Sequence, residues 1–534
     1  MVFWESRTVQ NLTVQKIVLF LVGLTAFIFA PYICAETLGG NMVPFALILG
    51  VGFLLFFVFV LGDKCWLAIP LCLPMGGSIN ILPIKFSPFE LSILLVIGYV
   101  FIQFFMTDRR SFSFGPPSIW IPLAVIGIIL LYHWGRGGGI GLTMFGGEAS
   151  GGRRFFTILV GMLALPAILW FPPLGDRWLR TIPLLYFIGN ILDFVPWLIS
   201  TLMPGFAPTI YRFYSTVNLD AYATSSGFYE TTVTRFGPLG FMGLGLQVAL
   251  ISFYPAKLWI RPNYWWVPVL SILCLVGVIF SGFRSYLFNY VVVSFLALFF
   301  SIRWSSFFLI PIGAMAIALL CLGQGSAFNL PLSIQRTLSP LPGNWSKVAV
   351  EAAESSNDFR EAIQRIYRDE YLGKSGLFGD GFKYDQRFMW DRALSFSERW
   401  QLRGGDEQAR GFIEVRDHHV GWVAVHHPIG TVGLAAFIVL CLGSLVFVFK
   451  SVWSVPKGML TPAQVWASAL IVQIIVSHFA VFGAMHHFIP QLCILLGTAI
   501  VAYRQPSMRP MVSIPEDFPC TSPQALEPKT ALTT

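Results

Sequence analysis

Residues 417–448 read DHHVGWVAVHHPIGTVGLAAFIVLCLGSLVFV, and this stretch decides the class of the chain. From Gly430 to Val448 it is an apolar run, close to the ~20 residues a helix needs to cross a bilayer. Four histidines, His418, His419, His426 and His427, stand just before it. Ionisable groups at a membrane boundary are costly, so their default reading is functional. Comparable apolar runs recur at roughly 17–34, 43–61, 65–82, 88–106, 118–134, 155–173, 179–200, 236–254, 264–281, 284–301, 304–323, 429–450, 464–482 and 487–503.

Composition agrees. The 534 residues are 55% hydrophobic and 12% charged, against about 25% charged in soluble domains, and the mean hydropathy is +0.70. The expected fold is all-α, a polytopic transmembrane helical bundle of about 12–14 spans. The run Ile17–Cys34 is too long for a signal-peptide core and lacks a small-residue cleavage site, so it reads as a retained span. Segment 65–82 is the weakest, because Pro70, Pro74 and Gly76-Gly77 interrupt it. It reads as a re-entrant or broken helix, tolerated only inside a protein bundle. Cys34, Cys65, Cys72, Cys274, Cys321, Cys441, Cys493 and Cys520 form no CxxC and lie mostly in apolar runs, which argues against a disulfide framework or a zinc site. Trp120, Trp170, Trp197, Trp265, Trp266 and Trp304 sit near span ends and read as an interfacial belt.

Basic residues set the expected orientation. With the N-terminus inside, cytoplasmic segments hold fifteen Lys/Arg and the short outer segments seven. Both termini are then cytoplasmic, and the chain divides into a bundle (1–323), an extracytoplasmic loop domain (324–428), C-terminal transmembrane helices (429–504) and a disordered Pro/Ser/Thr-rich tail (505–534). The net charge of +8 partly reflects cytoplasmic anchoring, and no nucleic-acid partner is expected. The loop is nearly neutral, with thirteen Lys/Arg and fourteen Asp/Glu. Within it, Ser356-Asn357-Asp358 reads as a helix cap, with Glu361 placed as in a capping box. Phe359, Ile363 and Ile366 then share one face, as in a helix lying on a membrane surface. Gly373, Gly376, Gly379 and Gly381 mark a turn-rich segment after it.

Three stretches carry a resemblance: Ser281-Gly282-Phe283-Arg284, then Arg360-Glu361-Ala362-Ile363 followed by Gly376-Leu377-Phe378-Gly379-Asp380-Gly381-Phe382, then His419 eleven residues before Gly430 and fourteen before Gly433. In this order around one outer loop they resemble the O-antigen ligase and O-antigen polymerase superfamily of bacterial membrane glycosyltransferases. Val420 stands where the family has Asn, and Gly376 where it has Pro. The resemblance covers about residues 230–445. It implies a bacterial inner-membrane enzyme that moves a glycan from a polyprenyl (undecaprenyl) diphosphate carrier to a lipid A-core acceptor or to another glycan, with inversion and without a metal or cofactor. A polymerase would also have a chain-length regulator as a partner.

Each candidate residue has two readings. Arginine's planar fork suits a departing diphosphate, so Arg284 and Arg360, with Arg235 and Arg336 behind them, are the diphosphate candidates; a lone boundary arginine is otherwise a headgroup anchor. A histidine near neutral pKa suits proton removal from an acceptor hydroxyl, and motif spacing selects His419. His418, His426 and His427 read as neighbours or substrate-shaping groups; no carboxylate or cysteine completes a metal set with them. His486-His487 reads as a solvated turn pair or as facing the same site. Asp193, within a span, reads equally as an arginine's partner or as a polar helix contact. A transporter or flippase of lipid-linked sugars, or a non-catalytic subunit of an exopolysaccharide assembly, is the alternative function. A transporter should show inverted repeats and midplane charges, whereas this chain concentrates its polar groups at the expected outer face.

Overall fold

The computed structural model describes residues 61–80, 86–106, 113–136, 152–172, 174–215, 237–259, 261–382, 405–414, 416, 418, 420–481 and 483–504. The expected spans 17–34 and 43–60, the tail 505–534, Arg235 and His419 lie outside the described residues.

The molecule is an all-α polytopic bundle. Among the described residues nine helical spans are long and apolar enough to cross a membrane. They are built on α1 (Pro88–Met106), α2 (Pro117–Arg136), α3 (Gly152–Trp170), α4 (Asp176–Leu202), α6 (Trp266–Phe280), α7 (Arg284–Ile302), α12 (Gly421–Ser454), α13 (Pro462–Ala480) and α14 (Met485–Arg504). Two shorter apolar helices, α5 (Gly237–Phe253) and α8 (Ile310–Gly323), complete the described bundle. Local chemistry sets several starts. Ser87 and Glu90 form a capping box at α1, the Ser87 N–H donating to Glu90 Oε2 at 2.9 Å and the Glu90 N–H to Ser87 Oγ at 3.4 Å. Glu90 also pairs with Arg153 and accepts from Thr157, so this buried carboxylate is satisfied and ties α1 to α3. Thr461 and Gln464 make the same box at α13. Small residues bring helices close: a Cβ at Gly161 of α3 would lie 2.4 Å from Pro490 of α14.

Of the expected segment 65–82, the described residues 65–80 form a broken helix. A 3-10 turn (Gly62–Leu67) and a five-residue helix (Ala68–Cys72) give way near Pro74 to β1 (Ser78–Ile79), which pairs antiparallel with β2 (Tyr214–Ser215). The segment runs along α4, from Lys64 over the Trp178 ring to Gly76 at Asp193. There the Gly77 N–H donates to Tyr214 Oη at 3.1 Å and the Tyr214 hydroxyl donates to Asp193 Oδ1 at 2.7 Å. Asp193 is therefore a polar helix contact. Trp120, Trp265 and Trp304 are exposed as a belt requires, but Trp170 and Trp197 are buried and serve the core.

The polar segment folds as a helical layer with its own core. It contains α9 (Leu332–Leu338), α10 (Lys347–Ile366), a π turn (Tyr367–Tyr371) and α11 (Gly405–Glu414). Two expectations are corrected here. First, α10 starts at Ser346, whose side chain accepts the Ala349 N–H, and runs through Ser356-Asn357-Asp358. The alanine-rich stretch before it has strong helix propensity, and the Asn357 side chain is engaged by Arg284, so it does not compete for the backbone. Second, Phe359, Ile363 and Ile366 pack on Ala409, Phe412 and Ile413 of α11, not on a membrane. Each side chain buried this way contributes about 1.5–3 kcal/mol. Arg365–Asp406 and Arg410–Glu370 close the rim of the pair.

Candidate functional site

The site is built where a turn meets a kink. In α12 the helix is interrupted at Gly430, with φ 67°, two residues after Pro428. Proline removes an intrahelical donor and glycine accepts the left-handed backbone. The turn Gly376–Phe382 docks on the carbonyls and N–H groups thus released. The N–H groups of Asp380 and Gly381 donate to the carbonyls of His427 and Pro428, and Val432 N–H donates to Leu377 O, all at 3.0 Å. The approach is close: a Cβ on Gly379 would lie 2.5 Å from Gly430 N, and a Cβ on Gly430 would lie 2.3 Å from Gly379 N.

This geometry makes a direct prediction. Gly430→Ala and Gly379→Ala should each lower stability by roughly 2–5 kcal/mol, the left-handed backbone and the overlap adding together. Gly376→Ala, also at positive φ but with open space around its Cβ, should cost only about 1–2 kcal/mol. Thermal unfolding of the purified variants checks the order; equal losses at Gly376 and Gly430 would remove the close approach as the cause.

Three histidines are drawn into one buried network by this docking. His418 Nε2 lies 2.7 Å from His427 Nδ1, and Arg416 Nη1 is 3.3 Å from the same atom. An arginine can only donate, so His427 Nδ1 carries a lone pair and the His418 Nε2–H donates to it. The His427 proton then sits on Nε2, which faces Asp380 Oδ2 at 3.6 Å. A neutral His418 keeps its own lone pair on Nδ1. Asp380 is held below the ordinary carboxylate range, first by His427 and further by Arg416. Burial is the main influence on Arg416 and lowers its pKa, with Asp380 opposing it.

Arg416 is the hub. It adopts φ 60° without being glycine, a strain of about 1–3 kcal/mol that clusters at functional sites. Its carbonyl accepts from Arg154 Nη1 at 2.7 Å, and its Nε donates to Gly381 O at 3.3 Å. His426 adjoins by way of the Tyr367 ring, which packs 5.1 Å from the His427 ring between centroids: the Tyr367 hydroxyl lies 2.7 Å from His426 Nδ1 and 3.1 Å from Ser375 Oγ, and His426 Nε2 is 3.2 Å from Thr431 Oγ1. Burial pushes the Tyr367 phenol up to about 12, so it keeps its proton at neutral pH. Tyr367 opens the π turn, an irregularity frequent at functional sites.

A second group gathers along the same helix. Arg284 Nη2 donates to Ala353 O at 3.1 Å and to Asn357 Oδ1 at 3.0 Å, while the buried Arg336 donates through Nε to Ala352 O at 3.2 Å. Arg360 lies close enough to Arg284 for their charges to oppose each other, and burial lowers the Arg360 pKa. Among the described residues no carboxylate forms an ion pair with Arg284 or Arg360. Positions 353, 357, 360, 364 and 367 share one face of a helix, so Arg360 lies roughly 10 Å along the axis from Tyr367.

Of the residues singled out in the sequence, the structure therefore brings together Arg284, Arg336 and Arg360 in one group and His418, His426 and His427 in another. Asp193 belongs to neither. The His486 and His487 rings touch each other, tilted by 44° with centroids 4.2 Å apart. Among the described residues no three His, Cys, Asp or Glu side chains are grouped as a metal ion requires. Sequence reasoning missed Arg416, Asp380 and Tyr367. Asp380 stood inside the glycine motif, whereas Arg416 was one of thirteen basic residues in the loop with nothing local to mark it. The chain matches no protein-family model and no curated protein.

Proposed function

We propose that this protein is a membrane glycosyltransferase that moves a glycan from a polyprenyl diphosphate carrier to an acceptor hydroxyl, as a ligase onto lipid A core or as a polymerase onto another glycan. The observation that supports it most is the gathering of Arg284 of α7 and Arg336 of α9 on carbonyls of α10, the helix that carries Arg360 and continues into the π turn with Tyr367. A cluster of guanidinium groups in which, among the described residues, no carboxylate forms an ion pair with Arg284 or Arg360 suits a leaving diphosphate. In the proposed step the acceptor oxygen attacks the anomeric carbon and the carbon–oxygen bond to phosphate breaks. Polyprenyl diphosphate leaves with the electron pair, stabilised by the arginines, and His419 takes the acceptor proton. One displacement inverts the anomeric centre. Reconstitution tests it: purified protein in liposomes, with chelator present, is expected to consume a polyprenyl-diphosphate oligosaccharide only when a glycan or lipid A-core acceptor is added. Movement of the intact lipid-linked sugar across the bilayer without transfer would establish the transporter reading instead. The broken helix at Asp193 is the feature that reading would use, and its hydrogen bonds account for it as a clamp between spans.

The reading places segment 324–428 on the periplasmic side of a bacterial inner membrane, with both termini cytoplasmic. Ser355 is exposed on α10. In a background without native cysteines, Ser355→Cys is expected to react with an impermeant maleimide in cells whose inner membrane is intact. Protection until that membrane is opened would reverse the orientation.

A further inference from the structure

We propose that the Leu377–Phe378 turn is seated in the bilayer, with phospholipid acyl chains packed on both side chains. Leu377 is 63% exposed and Phe378 50%, in a turn otherwise docked firmly to the bundle. Their depth is set by backbone contacts to two membrane spans. Leu377 O accepts from Val432 at 3.0 Å, and Phe378 O lies 2.7 Å from His133 Nε2 in the last turn of α2. The two side chains therefore stand level with Tyr132 on α2 and Val432 on α12. Below them the exposed apolar stripes continue as Ile128 and Leu131 on one helix and as Ile438 and Val439 on the other. Irregular backbone survives at such depth only when its polar groups are satisfied within the protein. The carbonyls of this turn meet that condition. Besides the two carbonyls already named, Gly376 O accepts from Thr431, while Gly379, Asp380 and Gly381 donate to Ser375, His427 and Pro428. An apolar tip whose Gly376, Leu377 and Phe378 carbonyls are all bonded, continuous with two apolar span faces, fits the boundary between headgroups and acyl chains. Asp380, two residues further on, then lies near headgroup level. The inference does not depend on the transferase reading.

Photo-crosslinking in native membranes tests it on the full chain. p-Benzoylphenylalanine is placed singly at Leu377, at Phe378 (an aromatic-for-aromatic exchange), at Tyr132 on the span face and at Ser355 on α10. Adducts of phospholipid mass at Leu377 and Phe378 are expected at yields comparable with Tyr132 and several-fold above Ser355. Yields at Phe378 no greater than at Ser355, or an adduct of polyisoprenoid mass in place of phospholipid, would overturn it.

Discussion

Alanine at Arg360, and separately at Arg284, is expected to abolish glycan transfer while leaving the protein in the membrane at normal level. Each substitution removes one cation from a group in which Arg284 and Arg360 have no described carboxylate partner, so the departing diphosphate would lose charge stabilisation that water cannot replace in a desolvated site. The two positions differ in their other duties. Arg284 also holds Ala353 O and Asn357 Oδ1, so Arg284→Ala loosens α10 as well. Arg360 has no such contact among the described residues, which makes Arg360→Ala the cleaner test of charge. Lysine should rescue poorly at both, because it cannot reproduce the bidentate fork. Asn357→Ala removes one anchor of Arg284 but keeps the guanidinium, and should retain most activity. Transfer assayed on equal amounts of folded protein checks all of these. Normal product from Arg360→Ala would take that residue out of the site and leave the arginine group a structural feature.

His419→Ala is expected to lower transfer by a factor on the order of 10²–10⁴, the usual contribution of general-base catalysis. His418→Ala should act through packing instead. Its ring is buried and donates to His427, so its loss leaves a partly unsatisfied network costing about 1–3 kcal/mol of stability, with a smaller effect on rate. Loss in His419→Ala could also reflect a phosphate-binding imidazolium, and the pH profile separates the two roles. A base works as the neutral ring, so activity rises with pH through the histidine pKa; an imidazolium that binds phosphate makes activity fall over the same window. An active His419→Ala protein beside a folded but inactive His418→Ala protein would move the base to His418, whose Nδ1 already carries the lone pair that Arg416 and His427 assign to it.

Hydropathy and its punctuation located most of the bundle because a spanning helix must satisfy its backbone within one continuous segment, and that requirement is written locally. The run after Gly430, the weak segment around Pro74 and the glycine-rich turn at Gly376–Gly381 were all legible for this reason. The start of α10 was misplaced because Ser356-Asn357-Asp358 is a good cap on its own. The Ser346 cap and the alanine-rich stretch start the helix earlier, and the guanidinium of Arg284, some seventy residues away in the chain, engages the Asn357 side chain that would otherwise cap. The apolar face of α10 was equally visible, but not what covers it. A face that fits a membrane surface fits α11 as well, and the choice depends on a partner contributed by residues 405–414.

The sequence by itself determined the class of the protein, the register of its spans and the residue types available for phosphate and proton chemistry. Tertiary structure alone decided which of those residues meet. Arg416, Asp380 and His427 lie on separate stretches; His427 stood out in the histidine cluster and Asp380 inside the glycine motif, but Arg416 has no local signature and nothing local says that the three meet. They meet because Gly379 and Gly430 lack the side-chain atoms that would hold two backbones apart. The donor-only chemistry of Arg416 then assigns every proton between it and His418.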